Sequence, residues 1–84
     1  MYKLEITSRA KKQLKHVTKN YEQIAINNVF IEIKEDPFVG KPLSRELTGK
    51  FSYKVGAHRI IYKINKQDKI VQILSAGRRS TIYQ

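Results

Sequence analysis

Apolar and polar side chains alternate at the start of the chain, where Tyr2, Leu4 and Ile6 stand between polar neighbours. A period of two residues is typical of a strand that buries one face. The spacing then becomes helical in two successive stretches, and Ser8 is a suitable N-cap for the first of them. The apolar positions are Ala10, Leu14 and Val17 in the first stretch, and Ala25, Ile26, Val29, Phe30 and Ile33 in the second. The pattern predicts a strand and then a helical hairpin that ends near Asp36, because Pro37 follows.

Strand patterns return after residues 37–49, which hold both prolines and two glycines and therefore predict a loop, with a helical turn at residues 44–47. Gly56 and Ala57 can form a two-residue turn with glycine at its first central position. The third strand is apolar on both faces and should be interior. The inward positions of these strands are Phe51, Tyr53 and Val55, then Ile60, Tyr62 and Ile64, and the third covers residues 70–75. The order β-α-α-β-β-β predicts an α+β fold in which the helices cover one face of the sheet and the other stays partly open.

The length of 84 residues supports one domain over residues 1–84. The chain has no cysteine, which excludes disulfides and thiolate zinc sites and suits a reducing cytoplasm. His16 and His58 alone do not make a metal site. The sequence has neither a signal-peptide pattern nor an apolar run of membrane-spanning length. We therefore expect a cytoplasmic protein with no membrane partner, no metal and no cofactor.

Charge adds a functional clue, since the formal net charge is +10. Residues 1–44 carry eight Lys and Arg against five Asp and Glu, whereas residues 45–84 carry nine against two. Such an excess costs self-repulsion and is typical of a protein with a polyanionic or acidic partner. The alternative is that the charges only keep the protein soluble. The placement of the cations decides between a binding surface and a solubilising one.

The predicted turn places Lys54 opposite Arg59, and Lys50 opposite Lys63, on the same face of the sheet. Like charges in direct opposition cost roughly 0.2 to 1 kcal/mol per pair, and a bound polyanion would reverse the sign. For Lys50 and Lys63, splaying into water is an equal alternative. His58 should point to the other face, beside Val55, where packing is the favoured role.

The third strand leads into Gly77, Arg78 and Arg79, with Tyr83 four residues further on. Arginine makes bidentate contacts with phosphate, and tyrosine can stack on a base or transfer a proton. Together with Lys54 and Arg59, these side chains predict a patch that binds RNA.

The segments YKVGAHRIIY at residues 53–62 and ILSAGRRSTIY at residues 73–83 resemble the C-terminal signature of the RelE/ParE toxin superfamily. The resemblance covers nearly the whole chain. It implies a helical hairpin packed on a twisted antiparallel sheet. It also implies an endoribonuclease that cuts mRNA in the ribosomal A site, and a cognate antitoxin protein that neutralises it.

The resemblance also implies roles for four residues. Lys54 matches a lysine that holds the phosphate, Arg59 an arginine that stabilises the transition state, Arg79 a second catalytic arginine, and Tyr83 a general base. We expect further RNA contacts from the neighbouring cations Lys50, Lys63, Arg78 and Arg45.

The expected chemistry is attack by the RNA 2′-hydroxyl on the adjacent phosphorus without a metal ion. Two alternatives stay open: a ParE-like inhibitor of DNA gyrase, which shares the fold, and a nucleic-acid binding module without catalysis.

Overall fold

The structure, a computed structural model, describes residues 1–45 and 48–78. The elements are β1 (Lys3–Ile6), α1 (Ser8–Leu14), α2 (Asn20–Glu35), a 3₁₀ turn (Pro37–Val39), β2 (Lys41–Pro42), β3 (Lys50–Val55), β4 (His58–Asn65) and β5 (Ile70–Ser75). The predicted order of helices and strands is confirmed, with the short β2 as an addition inside the predicted loop. The helical turn predicted at residues 44–47 lies partly outside the described residues.

The five strands form one sheet in the order β1-β5-β4-β3-β2. The antiparallel meander β3-β4-β5 and the interior position of β5 are as predicted. One strand departs from the expected antiparallel arrangement, because β1 runs parallel to β5, with Leu4 opposite Val71. The helices and the meander separate these two strands along the chain, and so long a connection allows either direction. The α+β class is confirmed, with a mixed sheet.

The N-cap of the first helix lies one residue earlier than predicted. Thr7 is the N-cap, and its Oγ1 accepts a hydrogen bond from the backbone N–H of Ala10 at 3.3 Å. The same hydroxyl donates to the carbonyl of Ile73 at 2.9 Å. Ser8 is the first helical residue and is exposed. One side chain therefore both caps α1 and ties it to β5.

The core lies between the two helices and the face of the sheet that they cover. Its fully buried members include Ile33, Ile60, Tyr62, Val71 and Ile73. Tyr62 is thus inward, as predicted. Tyr53 is only partly buried, because its hydroxyl reaches Glu32 and donates to Oε2 at 2.8 Å. This hydrogen bond raises the pKa of Tyr53 above its ordinary value.

The other face of the sheet carries the polar residues of β3 and β4, with Lys54 and Lys63 exposed. The cations of the sheet therefore lie on the side away from the helices, as the alternation predicts.

In the part of the chain that the structure describes, no helix is long and apolar enough to cross a membrane.

Candidate nucleic-acid interface

The β3-β4 hairpin sets the positions of four predicted cations. Gly56, at φ +57°, makes the tight turn, a conformation that glycine adopts at little cost. The resulting register places Lys54 opposite Arg59 and Lys50 opposite Lys63, as predicted. Two like-charged pairs therefore occupy one face of one hairpin.

The two pairs lie at opposite ends of the hairpin. Four residues along a strand span roughly 13 Å, so one phosphate group cannot contact both pairs. Lys63 also faces Gln72 across β4 and β5 and lines a groove that includes the carboxylate of Glu5. An acidic neighbour makes the Lys50/Lys63 end less favourable for an anion than the Lys54/Arg59 end.

A cleft of about 440 Å³ lies beside the Lys54/Arg59 pair, between β3 and the segment that contains β2. It is lined by Val39, Gly40, Lys41, Leu43, Ser52, Tyr53, Lys54 and Arg59. Sequence reasoning missed Lys41, because two exposed residues in a loop rich in proline and glycine give no strand pattern. The only available signal was the proximity of a lysine to the two prolines.

Tyr62 fixes the wall of the cleft from the core side. Its hydroxyl donates to the carbonyl of Pro37 at 2.7 Å and accepts from the backbone N–H of Gly40 at 3.0 Å. Burial raises the pKa of Tyr62 to about 12. A side chain at residue 40 would run into the Tyr62 ring and come within 3.1 Å of the Ser52 carbonyl oxygen. Glycine at this position lets the segment pack closely against the sheet.

On the opposite face, His58 Nδ1 lies 3.6 Å from Glu22 Oε2. His58 is buried and pairs with Val55, so its predicted position is confirmed. Lys54 makes no ion pair with any residue of 1–45 or 48–78. Its charge is therefore available to a ligand in the cleft.

The segment after β5 runs back beside β4, where the backbone N–H of Arg59 donates to the carbonyl of Gly77 at 2.9 Å. Arg78 forms an isolated antiparallel β-bridge with His58 through the backbone, and it lines a separate pocket with His58 and Glu22. Arg45 is exposed in the loop after β2. Neither arginine lines the cleft. The predicted catalytic residues Arg79 and Tyr83 lie outside the described residues.

Comparison with known proteins agrees with this architecture. The family model of the ParE toxin of type II toxin-antitoxin systems, parDE, matches residues 4–83. The chain belongs to the ParE toxin family. The resemblance seen in the sequence is thereby confirmed, and this protein is a toxin of a type II toxin-antitoxin system.

This chain is 32% identical over 84 residues to toxin RelG of Mycobacterium tuberculosis, and the match covers 99% of this chain and 97% of that protein. It is 30% identical to toxin RelE of the same organism, covering 99% and 87%. Among solved structures, the toxin-antitoxin complex RelBE2 of M. tuberculosis matches with a TM-score of 0.81 and 34% identity, over 93% of this chain and 98% of that chain. The isolated E. coli RelE toxin matches with a TM-score of 0.79 at 21% identity, over 99% and 92%, and shares the fold.

Proposed function

We propose that this toxin is an endoribonuclease that cleaves mRNA in the ribosomal A site without a metal ion. The observation that carries the proposal is the direct opposition of Lys54 and Arg59 at the edge of an open cleft. A phosphate group between the two side chains would be attracted by both positive charges. The similarity to RelG and RelE toxins supports the same assignment.

In the proposed reaction the 2′-oxygen of the RNA attacks the adjacent phosphorus, and the bond from phosphorus to the 5′-oxygen breaks. The products are a 2′,3′-cyclic phosphate and a 5′-hydroxyl. Lys54 and Arg59 stabilise the negative charge that develops on the non-bridging oxygens, because the register of the β3-β4 hairpin places the two cations opposite each other at the cleft. Tyr83 removes the 2′-hydroxyl proton and Arg79 provides a second guanidinium, as the family resemblance implies.

The cations that line the cleft can supply the electrostatic stabilisation that the proposed mechanism needs. Within residues 1–45 and 48–78, no three His, Cys, Asp or Glu side chains cluster closely enough to hold a metal. The cleft is instead lined by Lys41, Lys54 and Arg59. The leaving 5′-oxygen takes its proton from water, since a guanidinium gives up a proton poorly.

The proposed partners are mRNA, the ribosome and a cognate antitoxin, which places the toxin in the cytoplasm. The related RelBE2 of M. tuberculosis and RelBE of E. coli are toxin-antitoxin complexes. A net charge of +10 favours an acidic antitoxin, because opposite charges accelerate association and suppress wrong pairings.

The test is to map the 5′ ends of mRNA from cells that express the wild-type toxin or its Arg59→Ala variant. We expect cuts that follow the reading frame, and a fall of about 10² to 10³ in cutting for the variant, as for the loss of one transition-state contact. Lys54→Ala should act alike and, as Lys54 is exposed, should fold normally. Lys12→Ala removes one exposed charge from α1 and is the matched control.

A 2′-deoxy nucleotide at the mapped cut site should block cleavage in vitro, because it lacks the attacking hydroxyl. If DNA supercoiling fails before translation and no new 5′ ends form, the toxin is a ParE-like gyrase inhibitor and the proposal is wrong. RNA binding without cleavage would indicate a non-catalytic binding module.

A further inference from the structure

Lys41 lies in the cleft next to the Lys54/Arg59 pair. It pairs with Ser52 across β2 and β3, and cross-strand partners present their side chains on one face. Ser52 and Lys54 are two residues apart on β3 and share that face. Lys41 is therefore a diagonal neighbour of Lys54, at about 7 to 8 Å between Cα atoms. The cleft thus receives cations from three adjacent strands.

Ser52 gives the cleft a polar side chain. The residue is only 8% exposed, and it lines the cleft. Its hydroxyl makes no hydrogen bond with any residue in the described ranges and is not among the fully buried polar atoms, so it is open to the cleft. A ligand oxygen that enters the cleft beside Lys41 would supply the partner for this group.

The wall that carries Lys41 is fixed before any ligand binds. Tyr62 holds the carbonyl of Pro37 and the N–H of Gly40, directly before Lys41. The apolar side chains of Val39 and Leu43 border the same space. The backbone that carries Lys41 therefore needs no rearrangement on binding, and only the Lys41 side chain has to be ordered.

We propose that Lys41 and Ser52 bind the phosphate next to the one held by Lys54 and Arg59. The cleft then accepts two consecutive phosphates of single-stranded RNA, an inference that rests on the proposed nuclease function. Lys41 supplies charge and Ser52 a hydrogen bond, while Val39 and Leu43 contact the sugar between the two phosphates. The second phosphate sets the register of the strand and so places the scissile linkage against Arg59.

The experiment compares two RNA oligonucleotides made uncleavable by 2′-deoxy substitution: a dinucleotide with one phosphate and a trinucleotide with two. Lys41→Ala should weaken trinucleotide binding about tenfold, the size expected for one charged hydrogen bond, and leave dinucleotide binding unchanged. It should also reduce the slope of log affinity against log salt by about 0.7, the value for one phosphate of a single strand. Lys54→Ala should weaken the binding of both oligonucleotides.

Two further variants distinguish the loss of the phosphate site formed by Lys41 and Ser52, here called the subsite, from a general loss of positive charge or of folding. Lys41→Arg should retain trinucleotide binding, and Ser52→Ala should weaken it in the same selective way as Lys41→Ala. Lys12→Ala should change neither affinity. The thermal unfolding midpoint of each variant shows whether it is folded, and Lys41→Gln replaces Lys41→Ala if the latter is not.

The subsite is wrong if the wild-type toxin binds the trinucleotide no better than the dinucleotide, or if Lys41→Ala weakens both alike. Neither outcome touches the nuclease proposal, which depends on the mRNA cuts lost in Arg59→Ala. The converse result is a toxin that cuts no mRNA but in which Lys41→Ala weakens only the binding of the trinucleotide. That result would support the subsite and contradict the nuclease proposal.

Discussion

At the scale of the residue, the Tyr62 hydroxyl joins the core to the wall of the cleft. Tyr62→Phe leaves the buried N–H of Gly40 without its acceptor, which should cost about 1 to 3 kcal/mol at neutral pH. Urea unfolding at pH 7 measures the loss. Tyr21→Phe, at a side chain that is 67% exposed, is the control and should change stability by less than about 0.5 kcal/mol.

We also expect the destabilisation caused by Tyr62→Phe to depend on pH. The pKa of Tyr62 in the folded protein is about 12, above its ordinary 10.0, so its neutral form is favoured by folding. The corresponding stability is fully present below pH 10 and is lost as the pH rises towards 12, by about 3 kcal/mol. The difference in unfolding free energy between wild type and Tyr62→Phe should therefore narrow over this range. A constant difference would contradict the prediction.

Individual residues were predictable where a turn fixed the register. Gly56 and Ala57 sufficed to place Lys54 opposite Arg59, because a two-residue turn allows only one pairing of its strands. Gly40 and Lys41 had no such anchor. Their positions depend on the contact with Tyr62, a residue more than twenty positions away, and local patterns carry no information about such contacts.

At the scale of the element, the start of α1 offers a matched pair of substitutions. Thr7→Val keeps the shape of the side chain but removes the cap and the hydrogen bond to β5, and should destabilise the toxin by about 1 to 2 kcal/mol. Ser8→Ala should cost less than about 0.5 kcal/mol, since Ser8 is an exposed helical residue. Thermal unfolding of both variants checks this. A larger loss for Ser8→Ala would restore Ser8 as the cap.

The elements also show which kind of information a pattern holds. Alternation in β1 correctly gave Leu4 and Ile6 as inward residues, because burial depends on period. It gave no partner strand, and the parallel pairing with β5 is decided by packing across the whole fold. The strand β2 has only two residues, both exposed, so no period can be read from it.

At the scale of the whole molecule, the net charge of +10 predicts opposite effects of salt on stability and on binding. Raising the salt concentration screens self-repulsion and should stabilise the free toxin against urea. The same change should weaken RNA binding, because releasing counterions into a more concentrated salt solution gains less entropy. Measuring both properties at 50 and 500 mM salt tests the prediction. A toxin destabilised by salt would show that attractive ion pairs dominate.

The family and the fold class were accessible from the sequence, since the strand motifs and the hairpin turn are local. The site was accessible only in part. The sequence grouped Lys54 and Arg59 with Arg78 and Arg45, and of these four residues the first two line the cleft. Roles for Arg78 and Arg45 in RNA binding stay predictions. Charge alone does not specify the face on which a side chain emerges, whereas position in a strand does.

The position of β5 has a consequence for the synthesis of the toxin. This strand lies between β1 and β4 but follows both along the chain. While it is still being translated, β1 has no neighbour to pair with and the Gly77 carbonyl is not yet beside Arg59. The sheet closes only when residues 70–78 have left the exit tunnel. Until then the nascent chain carries β1 and the β3-β4 hairpin without the strand that joins them, and the buried side chains of β5, Val71 and Ile73, are missing from the core.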